Sequence, residues 1–114
     1  MTHYMKLHAA PFEMIKSGKK IYELRLYDEK RRQIAVGDEI VFTERGNASR
    51  NIRCSVVGLH VFPSFKELYS SLPLLLCGYA EENISSASYL DMEQYYSAEE
   101  QREFSVVGIE ISLI

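Results

Sequence analysis

The chain has 114 residues, 46% of them hydrophobic and 25% charged, which is the size and balance of one domain with an ordinary core and leaves no room for a second. No apolar run approaches the roughly 20 residues that span a bilayer, and Met1–Lys6 lacks the apolar stretch of a signal peptide, so a soluble, cytoplasmic protein with no membrane partner is expected. The net charge of −3 divides unevenly: residues 1–53 hold eleven basic groups against seven acids, net +4, and residues 54–114 hold two against nine, net −7.

Tyr4–His8 reads as a first strand and residues 11–17 as a helix. Pro11 is placed like a first helical residue, Phe12 and Ile15 lie three apart on one face, and Gly18 supplies the left-handed residue that ends the helix. The period then changes from about 3.6 to 2. In the strand expected over about 20–27, Ile21, Glu23, Arg25 and Tyr27 share one face, and Tyr22, Leu24 and Leu26 share the other. Two opposite charges, Glu23 and Arg25, therefore point the same way inside a half-buried strand. Lys20 has the opposite parity and joins them only from the Gly18 turn or past a bulge.

Further along, Asp28–Arg32 is a charged turn, residues 39–43 are a strand, and residues 45–48 are a hairpin tip. The return strand, Ile52–Val61, is long and apolar, with Gly58 as the bulge or bend by which a sheet curls. Ser64 and Glu67 have capping-box spacing and open a helix through about Ser71; Ser97 and Glu100 repeat the device, and Ser88 with Asp91 caps a helix between them. Residues 77–87 read as a loop. In the last segment Val107, Ile109, Ile111 and Leu113 alternate with Gly108, Glu110, Ser112 and Ile114, so one face enters the core and the other is mostly open. With no repeat or linker in between, the layout is α+β over a single domain, residues 1–114.

The spacing Gly-x-Lys-x-x-Glu-x-Arg, formed by Gly18, Lys20, Glu23 and Arg25, resembles the signature of the ASCH family, whose β-barrel is similar to the RNA-binding PUA domain. All four positions match, at a helix-to-strand junction near the start of a chain of domain size. The resemblance extends to Leu26–Arg32, Gly58–Phe65 and the segments Tyr95–Ser97 and Val107–Glu110. It implies a curled mixed β-sheet or β-barrel, PUA-like, with flanking short helices, and a cleft lined by the signature. An amidohydrolase branch of the family acts on N4-acetylcytidine with a Thr nucleophile, a Lys and a Glu. This chain has Glu23 where that branch has Thr, and a carboxylate does not replace a hydroxyl as acyl acceptor.

Two readings of the cluster follow. It is either a cleft in which Lys20 and Arg25 meet a phosphate, carboxylate or base edge while Glu23 orients them, or a structural ion pair. The function expected is RNA or nucleotide-like ligand binding by Gly18, Lys20, Glu23 and Arg25, with Arg31 and Arg32 as phosphate contacts and Arg45, Arg50 and Arg53 at the periphery. Of Tyr95 and Tyr96, one ring is expected inward and one outward; the outward ring is the candidate aromatic contact, and Tyr96 is assigned to it. The alternative is a small hydrolase on a modified nucleoside, with Lys20 and Glu23 as its catalytic centre. A protein partner remains open through the Leu74–Leu76 run, whose other reading is a buried helix end. Cys54 and Cys77 have no paired spacing and read as buried free thiols, and the three scattered histidines lack ligand spacing, so no metal or cofactor is expected. The sequence sets no oligomeric state.

Overall fold

In the computed structural model, which describes Met1–Ile114 throughout, the elements are β1 (Thr2–Leu7), α1 (Ala9–Lys16), β2 (Tyr22–Leu26), β3 (Glu39–Glu44), β4 (Asn47–Phe62), α2 (Phe65–Ser71), α3 (Ala98–Phe104) and β5 (Val106–Leu113). Short 3-10 turns at Arg31–Gln33, Leu74–Leu76, Ile84–Ser86 and Tyr89–Gln94 fill the connections. The strands form one five-stranded mixed sheet in the order β1-β3-β4-β5-β2, with β1 parallel to β3 and the remaining pairs antiparallel. The long β4 pairs with β3 through its first half and with β5 through its second. Its register slips between Val56 and Gly58, the bulge expected at Gly58, and the sheet curls into a half-barrel there. A Cβ on Gly58 would sit 2.9 Å from Glu110 Oε1, so glycine is also what admits the His60–Glu110 pair beside the bulge.

Alternation packs both faces of this sheet. One face carries Ile40, Phe42, Val56, Val107, Ile109 and Ile111 against Phe12 and Ile15 of α1, the two positions whose spacing marked the helix. The other carries Leu24, Leu26 and Val106 against Phe65 and Leu68 of α2 and against Cys77. The outer face of β5 is open at its C-terminal end, where Ser112 and Ile114 are exposed, but covered at its start: Val106 is buried, and a Cβ on Gly108 would lie 2.6 Å from Leu72 Cδ1. Leu113, expected on the core face, is exposed because the strand runs past the core there. Gly108 is there because α2 and its exit cross the sheet at contact distance, a tertiary fact that strand alternation does not encode.

Local chemistry departs from expectation in two further places. Pro11 is the third rather than the first residue of α1, a position equally free of an intrahelical N–H bond. Ser64 is the N-cap of α2, but its hydroxyl bonds the Glu67 carboxylate instead of the backbone. The Phe65 N–H goes to Oε1 of the buried Gln101, 3.0 Å away on α3, so one helix caps another. The boxes at Ser88–Asp91 and Ser97–Glu100 form with both reciprocal bonds, the first opening a 3-10 turn rather than an α-helix. Of the Leu74–Leu76 run only Leu75 is exposed; Leu74 packs into the α2-side cluster. Both cysteines are buried free thiols.

Candidate functional site

Gly18, at φ +80°, ends α1 in the left-handed conformation, and Lys19 and Lys20 then turn back so that both their N–H groups reach Met14 O, at 2.9 and 3.1 Å. Regular strand starts only at Tyr22, which places Lys20 in the turn and removes the parity conflict. Its Nζ donates to Glu23 Oε1 at 2.7 Å. Arg25 Nε donates to Glu23 Oε2, also at 2.7 Å, and its terminal nitrogen donates to the Lys6 carbonyl at 3.3 Å. Because β1 and β2 are the two edges of the curled sheet, Arg25 spans the seam of the half-barrel.

The cluster is deeply set, with Glu23 3% and Lys20 8% exposed. Burial opposes ionisation of Glu23, but the adjacent charges of Lys20 and Arg25 and their hydrogen bonds outweigh it and hold the carboxyl below its usual range. Burial likewise disfavours the Arg25 cation, and the Glu23 charge more than compensates, raising its pKa. One carboxylate with two cations leaves a net positive centre whose carboxylate oxygens are both already engaged.

A cavity of about 640 Å³ opens over it, lined by Pro11 and Met14 of α1 and by Tyr69, Tyr79, Tyr95 and Tyr96. Gly78, at φ +114°, lets the Cys77–Tyr79 segment cross directly over the Lys20 side chain, where an added Cβ would lie 3.8 Å from Nζ. Burial pushes the Cys77 thiol up to about 11, against the opposing pull of Lys20, so its thiolate is scarce at neutral pH. A second groove of about 360 Å³ adjoins the first and shares Lys6, Arg25 and Arg45 with it; Lys30 and Arg31 complete its basic wall, with no carboxylate among its lining residues.

The structure sorts the residues singled out by sequence. Lys20, Glu23 and Arg25 meet at the cavity floor, and Tyr96 lines its wall. The expected orientation of the pair is reversed: Tyr96 is the inner ring, because it stacks on Phe65 with centroids 5.8 Å apart, and Tyr95 is the outward one at 61% exposure. Arg31 faces the basic groove, fixed by Asp28 at 3.0 Å with its Nε buried and unpaired. Gly18 and Arg32 lie outside both walls. Gly18 shapes the turn, and Arg32 donates to Phe104 O at 2.8 Å and stacks on Tyr27. Arg50 bonds Glu13 and Glu44, and Arg53 bonds Glu39, so both are engaged away from the cleft. Lys6, Lys30 and Tyr69 are wall residues that sequence reasoning missed. Lys6 reads as the exposed side of an alternating strand, and Tyr69 falls four residues after Phe65 at ordinary helical spacing.

A curled mixed sheet whose edge strands are tied by a buried Lys–Glu–Arg cluster beneath a half-enclosed cavity has the architecture of a PUA-like α+β domain. The chain belongs to the ASCH domain family, which it matches over residues 5–114. The hypothetical protein PH0355 has a similar crystal structure, with 37% identity, TM-score 0.85 and full coverage of both chains. Protein PF0455 from Pyrococcus furiosus, solved by NMR, is 32% identical with TM-score 0.73, covering 100% of this chain and 98% of that one. A mutant of ZmASCH from Zymomonas mobilis shares the fold at 14% identity and TM-score 0.68, over 97% of this chain and 67% of that one. No curated protein sequence matches this chain.

Proposed function

We propose that this protein binds RNA or a nucleotide-like ligand, with one nucleotide unit in the cavity and its phosphates directed along the adjoining basic groove. The observation that carries the reading is the make-up of the walls: four tyrosines and the buried cations Lys20 and Arg25 line one space of about 640 Å³, and a groove with no carboxylate among its lining residues adjoins it through Lys6, Arg25 and Arg45. Nucleobases stack on aromatic rings, the volume is that of a small-ligand pocket, and clustered Lys and Arg provide affinity for phosphate without sequence choice. Glu23 holds the two cations in place, which answers why a strand interior contains opposite charges.

The groove makes the reading testable residue by residue. In anisotropy titrations with a short single-stranded RNA, Arg31→Ala and Lys30→Ala are each expected to weaken binding and lower the salt slope by about 0.7 for each phosphate no longer neutralised. Arg32→Ala is expected to leave both unchanged. Equal affinities and slopes for all three variants and the parent protein would remove the groove from the interface.

A hydrolase on a modified nucleoside such as N4-acetylcytidine is the second reading, favoured by the enclosure of Lys20 and Glu23 in the cavity. It is less well supported. A carboxylate already bonded through both oxygens and held below its usual pKa is a poor general base, and the position of that branch's nucleophilic hydroxyl is Glu23 itself.

A further inference from the structure

Two tyrosines that line the cavity form a hydrogen-bonded row with Asp91: Tyr69 Oη lies 2.7 Å from Tyr79 Oη, and Tyr79 Oη lies 2.7 Å from Asp91 Oδ2. Asp91 is fixed at the far end, because the same oxygen accepts the Ser88 N–H at 3.2 Å as part of a capping box. The direction of the row follows from proton counting. A carboxylate only accepts and each hydroxyl has one proton, so Tyr79 donates to Asp91, and Tyr69 must then donate to Tyr79. Tyr69 makes no other hydrogen bond within the protein. Its proton is committed and its remaining lone pair is free, so toward a ligand it is an acceptor only.

Burial, followed by the bonds to Asp91 and Tyr69, raises the Tyr79 pKa, and burial raises that of Tyr69, so both hydroxyls keep their protons at neutral pH. On the floor of the cavity, Lys20 and Arg25 offer donors only. Because Tyr69, Lys20 and Arg25 all line this cavity, a ligand edge that meets all three must present an N–H or O–H toward Tyr69 and acceptors toward the cations.

Resting on the nucleotide reading of this cavity, we infer that Tyr69, oriented by Tyr79 and Asp91, selects a base bearing an exocyclic amine. Cytosine presents its N4 amine beside the acceptors N3 and O2, whereas uracil places the O4 acceptor where the amine would be. An acceptor facing an acceptor in a buried site forfeits a hydrogen bond and leaves both groups unsatisfied. A ribose hydroxyl has the same donor chemistry and is separable by experiment.

The test is calorimetric titration of the protein with CMP, UMP and dCMP, repeated on Tyr79→Phe. That variant keeps the ring but removes the acceptor that commits the Tyr69 proton, so Tyr69 becomes free to donate. The parent protein is expected to prefer CMP over UMP by about tenfold or more, the equivalent of one hydrogen bond between a good and an unsatisfied partner, and to bind dCMP as well as CMP. In Tyr79→Phe the CMP preference is expected to fall to about twofold or less. Binding without discrimination, or a preference unchanged in Tyr79→Phe, would overturn the inference while leaving the nucleotide reading in place. Loss on dCMP with none on UMP would assign the acceptor to ribose and overturn the choice of base. Failure of all three nucleotides to bind would overturn the cavity reading and the inference with it.

Discussion

Two charge clusters of mirror-image composition lie in this small protein. At the floor of the cavity, two cations, Lys20 and Arg25, grip one carboxylate that is 3% exposed. At the hairpin base, two carboxylates, Glu13 and Glu44, flank Arg50, whose side chain is 34% exposed. The hairpin cluster ties α1 to β3 and β4 within reach of water, where Glu13 and Arg50, 54% and 34% exposed, stay solvated and screened whether or not they are paired, and Glu44 alone is largely covered. The cavity cluster has no such alternative. Removing one member leaves the others unsatisfied in a low-dielectric site, and its excess of positive charge points into a ligand-sized space. Ion pairs of the same chemistry thus act as a surface clasp in one place and as a site in the other, and burial of the shared central group makes the difference.

Glu23→Ala breaks the comparison most severely. It abandons two buried cations, and urea denaturation is expected to show a loss of about 3–5 kcal/mol. The effect carries a pH signature. Because the folded carboxyl lies below its ordinary range, the stabilisation from Glu23 is fully present above about pH 4.3, the unfolded value, and is lost as pH falls through the folded value. The gap between the parent protein and Glu23→Gln should therefore narrow between about pH 4.3 and the onset of acid unfolding; a gap independent of pH would show that Glu23 is not held ionised.

Arg25→Lys sharpens the comparison by keeping the charge while removing the fork that reaches Glu23 and the Lys6 carbonyl together. A destabilisation of about 1–2 kcal/mol is expected, with faster hydrogen exchange at β1 and β2, the strands that Arg25 joins. Exchange changes confined to β2 would argue against a seam role. Arg50→Ala is expected to have the smallest effect, a slight fall in denaturation midpoint that disappears in added salt. A fall comparable to that of Glu23→Ala would erase the distinction between the clusters.

How much of this was legible beforehand depended on whether a residue's role is local. Gly18, the Phe12–Ile15 face, the Glu23–Arg25 parity and the bulge at Gly58 all express short-range backbone rules, and the structure has them where the sequence puts them. Arg31 and Arg32 are adjacent and chemically equal, yet one lines the basic groove and the other is spent on the Phe104 carbonyl. Within the turn Asp28 holds Arg31 three residues away, but the partner that takes Arg32 lies 72 residues along the chain, out of reach of any local rule. Tyr95 and Tyr96 were expected to divide between inside and outside, but which went where was fixed by Phe65. Ser64 had the spacing of a capping box, but its hydroxyl goes to the Glu67 carboxylate, and a different N–H of the first turn, that of Phe65, is satisfied by Gln101 of another helix.

The sequence by itself determined the α+β class, the helix-to-strand junction and the shared face of Glu23 and Arg25, since these follow from backbone sterics and side-chain periods of 3.6 and 2. Only the tertiary structure decided that the two edge strands meet at Arg25, that Lys6, Lys30 and Arg31 converge on one groove, and that Tyr69, Tyr79 and Asp91 fall into a directed row. Such placements depend on how the sheet curls and on which segments cross its open edge, and they join residues whose separation along the chain exceeds the reach of any local rule.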